Sequence, residues 1–550
     1  MRVTPHHALA SLPWLAGAVP FLWIAAHGFP AGDDWQLELT RIAAYRQAWA
    51  DDQWPPFWAP RLYAGYGSVL FLCYGQLFLA LASAVSFAGS FAASFIGALA
   101  LATGVAVWAL QRMVSAAVGG DATDTRTASA RVAVYVALLN PYLITDLCLR
   151  NAAAEYTALC LTPLALLGLW TRSSRAGVAL SAGIAVVIVT HSLVALTLAL
   201  LLSALALDAL RRTHDRRNWL LPRAGGGLLG LALSAFFWWP LFEITPLIRR
   251  EDLVTGKFSF HGQLQGLGEI FAFSNPYSPG SVPLLAAGAA VCAIGRGGRG
   301  SALWVLLLLF GALLALQTPA AYPLWEWLPG LAYFQFPWRF NGPLALVSAL
   351  LASLSFAPLA AAWPARRRVL LELAILCLCL ASAGLQLGRT HWASFQEVER
   401  FEQLLEPKAM ARTLLTATVG DEYLPRAARR SAIMRPAAVA PVTAATDGLR
   451  IGIKTLEPRF MAFTVRAERT SELCLARWAF PFWRVRVDDE VQPISACASG
   501  VLRVQVPQGK HRVVCELRMP RARVYGLWIS ACALLTWIVW WRRARRVPAR

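Results

Sequence analysis

Charge is scarce in this chain. Only 15% of its 550 residues are Asp, Glu, Lys or Arg, while 57% are hydrophobic. A single soluble domain does not need so much apolar surface, so that class is excluded. Acid is scarcer than base: 31 carboxylates face 51 cations, a net charge of +20. The excess does not mark a nucleic-acid binder, because the arginines cluster in short segments between apolar runs, which is a membrane-topology pattern. Familiar catalytic signatures are missing too. There is no H-E-x-x-H, no G-x-S-x-G and no Walker motif. That argues against a metalloprotease, a hydrolase of the usual kind and a nucleotide-driven pump. Cysteine offers little: Cys377-Leu-Cys379 is not a metal spacing, and seven of the 10 cysteines lie in or beside apolar segments. Cys474, Cys497 and Cys515 fall in the one large polar region, where one disulfide would leave one thiol over.

What the chain does have is long apolar runs, repeated, which make it a polytopic membrane protein. The first, residues 8–29, contains Pro13 and Pro20 and has no small-residue cleavage site before Gly32, so it reads as a retained helix. Basic segments at Arg211–Arg217 with Arg223, at Arg296 and Arg299, at Arg366–Arg368 and at Arg542–Arg550 belong on the cytoplasmic side. The weaker segments at Arg112, Arg126 and Arg131 and at Arg172 and Arg175 follow them. Threading the apolar runs between these points gives about twelve crossings of lipid-spanning length, with both termini inside. The run 69–87 does not fit as a crossing and reads as a juxtamembrane or re-entrant helix on the outer side. The run 177–209 is too long for one helix and splits at an outer turn near Thr190-His191-Ser192. Three regions result: a membrane module at 1–387 with a large first outer loop at 30–67, an extracytoplasmic α+β domain at 388–523, and a last helix with a basic tail at 524–550. Within 388–523, a helical stretch at Phe395–Leu405 is followed by short alternating runs punctuated at Asp488-Asp489 and Gln508-Gly509. These read as a small antiparallel β-sandwich that binds or supports.

The threading uses arginines alone, yet it brings Asp33, Asp34, Glu38, Arg150, Glu155, His191, Glu243 and Arg339 to the outer face. Ionisable groups at membrane depth are costly and mark functional sites. The focus is G32-D-D-W-Q-L-E-L-T-R41. If Asp34 lies in the first turn of a helix, Glu38 follows at i+4 and Arg41 at i+7 on one face. Trp35, Leu39, Ile42, Arg46 and Trp49 form the neighbouring stripe, suited to a lipid or protein surface. Plainer roles stand beside these. Asp33 and Gln36 match a D-x-x-Q capping box. Arg150 and Glu155 are spaced for an ion pair within one helix. His191 is equally a core histidine, and Arg339 equally a lipid contact in the aromatic belt Tyr333–Phe340. A carboxylate beside arginines at a membrane face suits glycosyl transfer from a lipid-linked sugar phosphate: the acid activates the attacking hydroxyl and cations hold the departing phosphate.

The segments G32-D-D34, P55-P-F-W-A-P-R61, N140-P-Y-L, R150-N-A-A-A-E155, T190-H191-S, F334-Q-F-P-W-R-F340, G420-D-E-Y-L-P425 and F480-P-F-W-R-V-R-V-D488 together resemble the bacterial "6-pyruvoyl-tetrahydropterin synthase-related", YfhO-like membrane proteins of the GT-C glycosyltransferase superfamily. Nothing in the residues supports pterin chemistry. The resemblance covers nearly the whole chain and implies a multi-helix GT-C-like module. It further implies an acidic catalytic residue in the first outer loop and a polyprenyl-phosphate sugar as donor, in a bacterial inner membrane. Carried over, the acid is Asp34, with Asp33 the alternative. Arg41, Arg150, Glu155, His191 and Arg339 are the donor-binding candidates. Where a D-x-x-x-H-x-x-R pattern would carry histidine this chain has Glu38, which makes Asp34 and Glu38 a candidate pair for a divalent metal, magnesium or manganese. The acceptor implied is extracytoplasmic: a glycan, lipid or protein of the cell envelope. Readings from another class are a non-enzymatic transporter or flippase for lipid-linked glycans, or a scaffold. The transporter is disfavoured because the polar residues gather on one side; the scaffold would bind cell-wall polymer through its outer domain after losing catalysis.

Overall fold

In the computed structural model, described for residues 5–118, 123–171, 175–296, 300–416, 418–433, 435–445 and 448–546, a helical bundle carries a β-sandwich ahead of its last helix. Arg172, Arg299 and Arg550 lie outside the described residues.

Among the described residues, seven helices are long and apolar enough to cross a membrane, and up to ten spans result if each of three bent pairs counts as one. The expectation of about twelve is met only by adding two shorter apolar helices, Ala176–Thr190 and Val282–Gly295. Those have 15 and 14 residues, short of the ~20 that a straight crossing needs. Thr123–Leu138 bends by 49° into Pro141–Leu149, and Arg216–Leu233 by 59° into Ala235–Ile244. The long run near 177–209 breaks where expected, into Ala176–Thr190 and Ser192–Arg212 about His191. The run at 69–87 is no crossing. It contains Leu70–Cys73 and Gln76–Val85, a ten-residue helix of about 15 Å.

Side chains at the helix ends fix the two poles of the bundle. At one pole Arg223 donates to Leu169 O and Thr171 O, closing the end of Ala153–Trp170. Arg368 reaches Thr125 there, and Arg175 reaches Ala544 O of the last helix, Arg521–Arg546. Nearby, Arg131 grips Glu372 through two bonds of 2.5 and 2.7 Å, joining Thr123–Leu138 to Ala365–Leu387. The basic segments thus gather at one pole, and the breaks at Arg150 and His191 at the other.

The second pole is capped by the sandwich. Its sheets are four-stranded and five-stranded, antiparallel throughout, with strands at Leu449–Leu456, Phe460–Ala467, Trp483–Val487, Glu490–Gln492 and Gly509–Leu517 in the larger. Positive φ at Asp488 and Asp489 makes the expected hairpin turn. A disulfide joins Cys474 to Cys497, leaving Cys515 buried and free. The sandwich docks on the first outer loop through aromatic contacts, Trp58 with Phe480 and Trp483, and Tyr66 with Trp478. Phe29 and Pro30, just after the first helix, pair with Ala393 and Trp392. Arg523 of the last helix is wholly buried; it bonds Phe236 O, Gln76 and Pro56 O, tying that helix to the first loop. Glu243 serves the start of the same helix, its carboxylate accepting from Ala522 N at 3.0 Å.

Candidate functional site

A backbone seam positions the acid at residue 34. Gly32 N donates to Asn151 Oδ1 at 2.6 Å, Asp33 N to Leu149 O at 2.9 Å and Asp34 N to Arg150 O at 2.9 Å. Asn151 sits at φ 54°, and its Nδ2 donates back to Leu147 O at 3.1 Å. The approach needs glycine at 32, since a Cβ there would lie 2.3 Å from Asn151 Oδ1 and 2.4 Å from Leu149 O. The helix Trp35–Ala50 starts next, with Asp34 at its N-cap position but no side-chain capping bond. The capping box expected of Asp33 and Gln36 is not formed, because the seam keeps Asp33 outside the helix. The Asp34 carboxylate has no hydrogen bond or ion pair among the described residues.

The helix itself is buried on nearly every side. Leu39 and Ile42 are fully enclosed by protein, and so is the polar stripe: Glu38 is 0% exposed and Arg41 6%. The stripe of Leu39 and Ile42 therefore faces protein.

A cavity of about 300 Å³ opens beside Asp34. Arg41, Arg150, Glu155, His191 and Arg339 line it as well, so one space gathers six of the seven residues singled out for catalysis and donor binding. Asp33 is the exception. It faces a second cavity, about 380 Å³, with Arg150, Tyr277, Arg389 and His391, on the other side of the seam. Burial and the neighbouring Asp34 charge raise its pKa.

Arg150 lies in the turn before the helix Ala153–Trp170, so its bond to Glu155, 3.1 Å, is not intrahelical. It also grips Asp146, reaches Tyr142 Oη at 3.3 Å, and stacks over Trp338 at 4.5 Å. With two carboxylates on it, Arg150 is a clamp whose charge is already met. Glu155 accepts from Tyr142 Oη at 2.8 Å and lies 3.6 Å from Arg339 Nε. Arg339 donates to Phe334 O and Gln335, but its Nε is buried without a hydrogen-bond partner. Of the three cavity arginines it has donor capacity to spare.

His191 caps the helix Ser192–Arg212, its Nδ1 accepting from Val194 N at 3.3 Å. Burial, with Arg339 and Arg150 nearby, lowers its pKa to about 4 against the pull of Glu155, so the ring is neutral at neutral pH. Gly75, between Leu70–Cys73 and Gln76–Val85, lets the run 69–87 reach this point: a Cβ there would come within 1.8 Å of Thr190 O.

Glu38 does not line the cavity. Its Oε1 accepts from Arg41 at 2.7 Å and from Tyr74 Oη at 2.8 Å, and burial raises its pKa despite both. Among the described residues no three His, Cys, Asp or Glu side chains are grouped to hold a metal ion. With Glu38 engaged by Arg41 and Tyr74 and outside the cavity that Asp34 lines, the two carboxylates do not fit a shared divalent metal.

Two wall residues are not singled out by the sequence. Glu422 and Tyr423 come from the segment ahead of the sandwich and close the cavity from above. Glu422 Oε2 is buried without a partner, and burial raises the pKa of the group. The stretch G420-D-E-Y-L-P425 stands out in the sequence, but no periodicity links it to a helix face.

No family model and no curated protein matches the chain. Among solved structures it resembles the arabinofuranosyltransferase AftD from Mycobacteria, at 20% identity over 72% of this chain and 27% of that one, with a TM-score of 0.43. It also resembles the Archaeoglobus fulgidus oligosaccharyltransferase tethered with an acceptor peptide containing the NVT sequon, at 14% identity over 76% of this chain and 60% of that one, TM-score 0.43. Both are GT-C superfamily members. This chain spans less than two thirds of either protein.

Proposed function

We propose that the chain is a GT-C-type membrane glycosyltransferase that moves a sugar from a polyprenyl-phosphate donor to an extracytoplasmic acceptor, with inversion at the anomeric carbon. The observation that carries this reading is Asp34: a carboxylate free of hydrogen bonds and ion pairs among the described residues, held by a rigid backbone seam at the mouth of a cavity lined by three arginines. The acceptor hydroxyl gives its proton to Asp34 as its oxygen bonds to the anomeric carbon. The bond from that carbon to the phosphate oxygen breaks, and polyprenyl phosphate leaves with the electron pair. Arg339, whose Nε makes no hydrogen bond and is only loosely paired with Glu155 at 3.6 Å, meets the growing phosphate charge. Arg150 and Glu155 hold the wall, and neutral His191 lines it without competing for the proton. Gathering of the arginine-rich segments at the opposite pole supports placing this pole outside the cytoplasm.

The test is transfer from a panel of radiolabelled polyprenyl-phosphate sugars, with membranes carrying wild type and Asp34→Asn. Label transfer by wild type, reduced at least a hundredfold in Asp34→Asn at equal expression, is the expected result. Retained transfer in the variant removes Asp34 from the base role.

A further inference from the structure

The larger sheet of the sandwich has one face turned inward, where Met461, Phe463, Val465, Val485, Val513 and Cys515 are buried against the second sheet. Its other face is a plate of cations. Arg450 stands directly opposite Arg466, and Arg466 directly opposite Lys510, so three positive charges share one row across three strands. On the same face Arg512 follows two residues after Lys510, and Arg484 and Arg486 continue on the next strand. Arg450, Arg466, Lys510 and Arg512 are exposed, and Arg484 and Arg486 half-buried. None of the six side chains has an ion pair or hydrogen bond among the described residues. Of the acids at this face, Glu516 is held by Arg518 at 3.2 Å, and Glu468 follows Arg466 by two residues just past the end of its strand, beside Gly448. Asp488, in the adjoining turn, is held by His511 and by Arg512 N.

Like charges directly opposite one another weaken a sheet. A row of three therefore costs the domain stability that folding alone does not return, and a bound anion would offset that cost. Strands lie ~4.8 Å apart and alternate residues ~6.8 Å, which sets the cations on a regular lattice. A lattice of guanidinium forks suits phosphate groups repeated along a chain. A flat membrane surface fits less well. The strand Gly509–Leu517 enters the last helix a few residues after its end. Lys510 is seven residues up that strand, as much as ~24 Å away at ~3.4 Å per residue, several times the ~8 Å Debye length.

We infer that the outer face of the five-stranded sheet, centred on Arg450, Arg466 and Lys510, binds a linear polyanion bearing phosphate groups along its length. This goes beyond sugar transfer and stands without it.

The test uses the full chain in nanodiscs of phosphatidylcholine and fluorescently labelled inorganic polyphosphate, read by anisotropy without any sugar donor. Wild type should bind. The triple variant Arg450→Gln, Arg466→Gln, Lys510→Gln should bind at least tenfold more weakly, and the slope of log affinity against log salt should fall by about 2. A charge-matched control at the opposite pole, Arg542→Gln, Arg543→Gln, Arg545→Gln, should leave affinity within twofold. Arg466→Gln alone should weaken binding measurably, should the triple variant fail to fold. Equal loss in triple variant and control overturns the inference, as does unchanged binding in both the triple and the single variant. Binding to phosphatidylglycerol vesicles with none to polyphosphate overturns it in favour of a membrane contact. Because no transfer is measured, failure here leaves the Asp34 reading intact, and the reverse also holds.

Discussion

Replacing Gly32 by alanine tests whether the seam, and not the acid alone, makes the site. The added methyl would sit 2.3 Å from Asn151 Oδ1, 2.4 Å from Leu149 O and 2.5 Å from Leu149 C. Two of those three atoms are backbone, so no side-chain rotation relieves the clash. The segment must lift away, and the bonds from Gly32 N, Asp33 N and Asp34 N lengthen or break. At about 1 kcal/mol net per bond, losing all three costs about 3 kcal/mol, which a bundle of this size survives with a lower melting temperature. The larger effect is on position. A shift of about 1 Å in a reacting group costs on the order of a hundredfold in rate. Gly32→Ala should therefore insert normally, bind donor with affinity near wild type through the undisturbed Arg339 wall, and lose roughly a hundredfold in turnover. The assay is single-turnover sugar transfer alongside equilibrium donor binding. Gly227→Ala, where an added Cβ meets nothing within 4 Å, is the control and should behave as wild type. Turnover within threefold of wild type in Gly32→Ala would refute the reasoning, because Asp34 would then not depend on the seam.

Three further outcomes are expected. Glu155→Gln removes the carboxylate shared by Arg150 and Arg339, and breaking such a buried pair typically costs about 3–5 kcal/mol; a sharp fall in thermal stability in detergent, with Glu155→Asp intermediate, checks this. His191 has its pKa lowered to about 4 when folded, against ~6.5 unfolded. Its contribution is therefore complete above about pH 6.5 and is lost as pH falls toward 4. Melting temperature followed from pH 7 to pH 4 should show that decline, and His191→Asn, which keeps a capping acceptor, should flatten it. Arg523→Leu frees the last helix from Pro56 O, Gln76 and Phe236 O, so limited proteolysis should cut the link between sandwich and bundle well before it does so in wild type.

The bundle was largely legible because lipid enforces simple rules. Apolar length and arginine placement located the break at His191 and put Arg150 at the outer face without any contact information. The count of spans was less legible, since helices of 14 and 15 residues and bends of 49° and 59° arise where neighbours, not length, decide how a helix sits. Asp34, Arg41, Arg150, Glu155, His191 and Arg339 stood out because each is an ionisable group in an apolar setting. Their pairing was not readable. Glu38 looked like an open ligand but closes on Arg41 and Tyr74, and Asp33, adjacent to Asp34, faces another cavity because the turn carrying both is pinned to Leu149 and Arg150 by long-range backbone bonds that local sequence does not reveal. Glu422 was missed as a wall residue because it belongs to a polar region where one more carboxylate is ordinary.

The upper wall has a consequence in time. Glu422 and Tyr423 are made roughly 390 residues after Asp34, and at ~5–20 residues per second of synthesis that interval is roughly 20–80 s. Arg41, Arg150 and Arg339 join the acid in turn during that interval, and only over its last ~80 residues, roughly 4–17 s, do all of them precede Glu422 and Tyr423. A nascent chain stalled near residue 387 would therefore carry the Asp34 carboxylate without the Glu422 and Tyr423 wall, which only the last stretch of translation supplies.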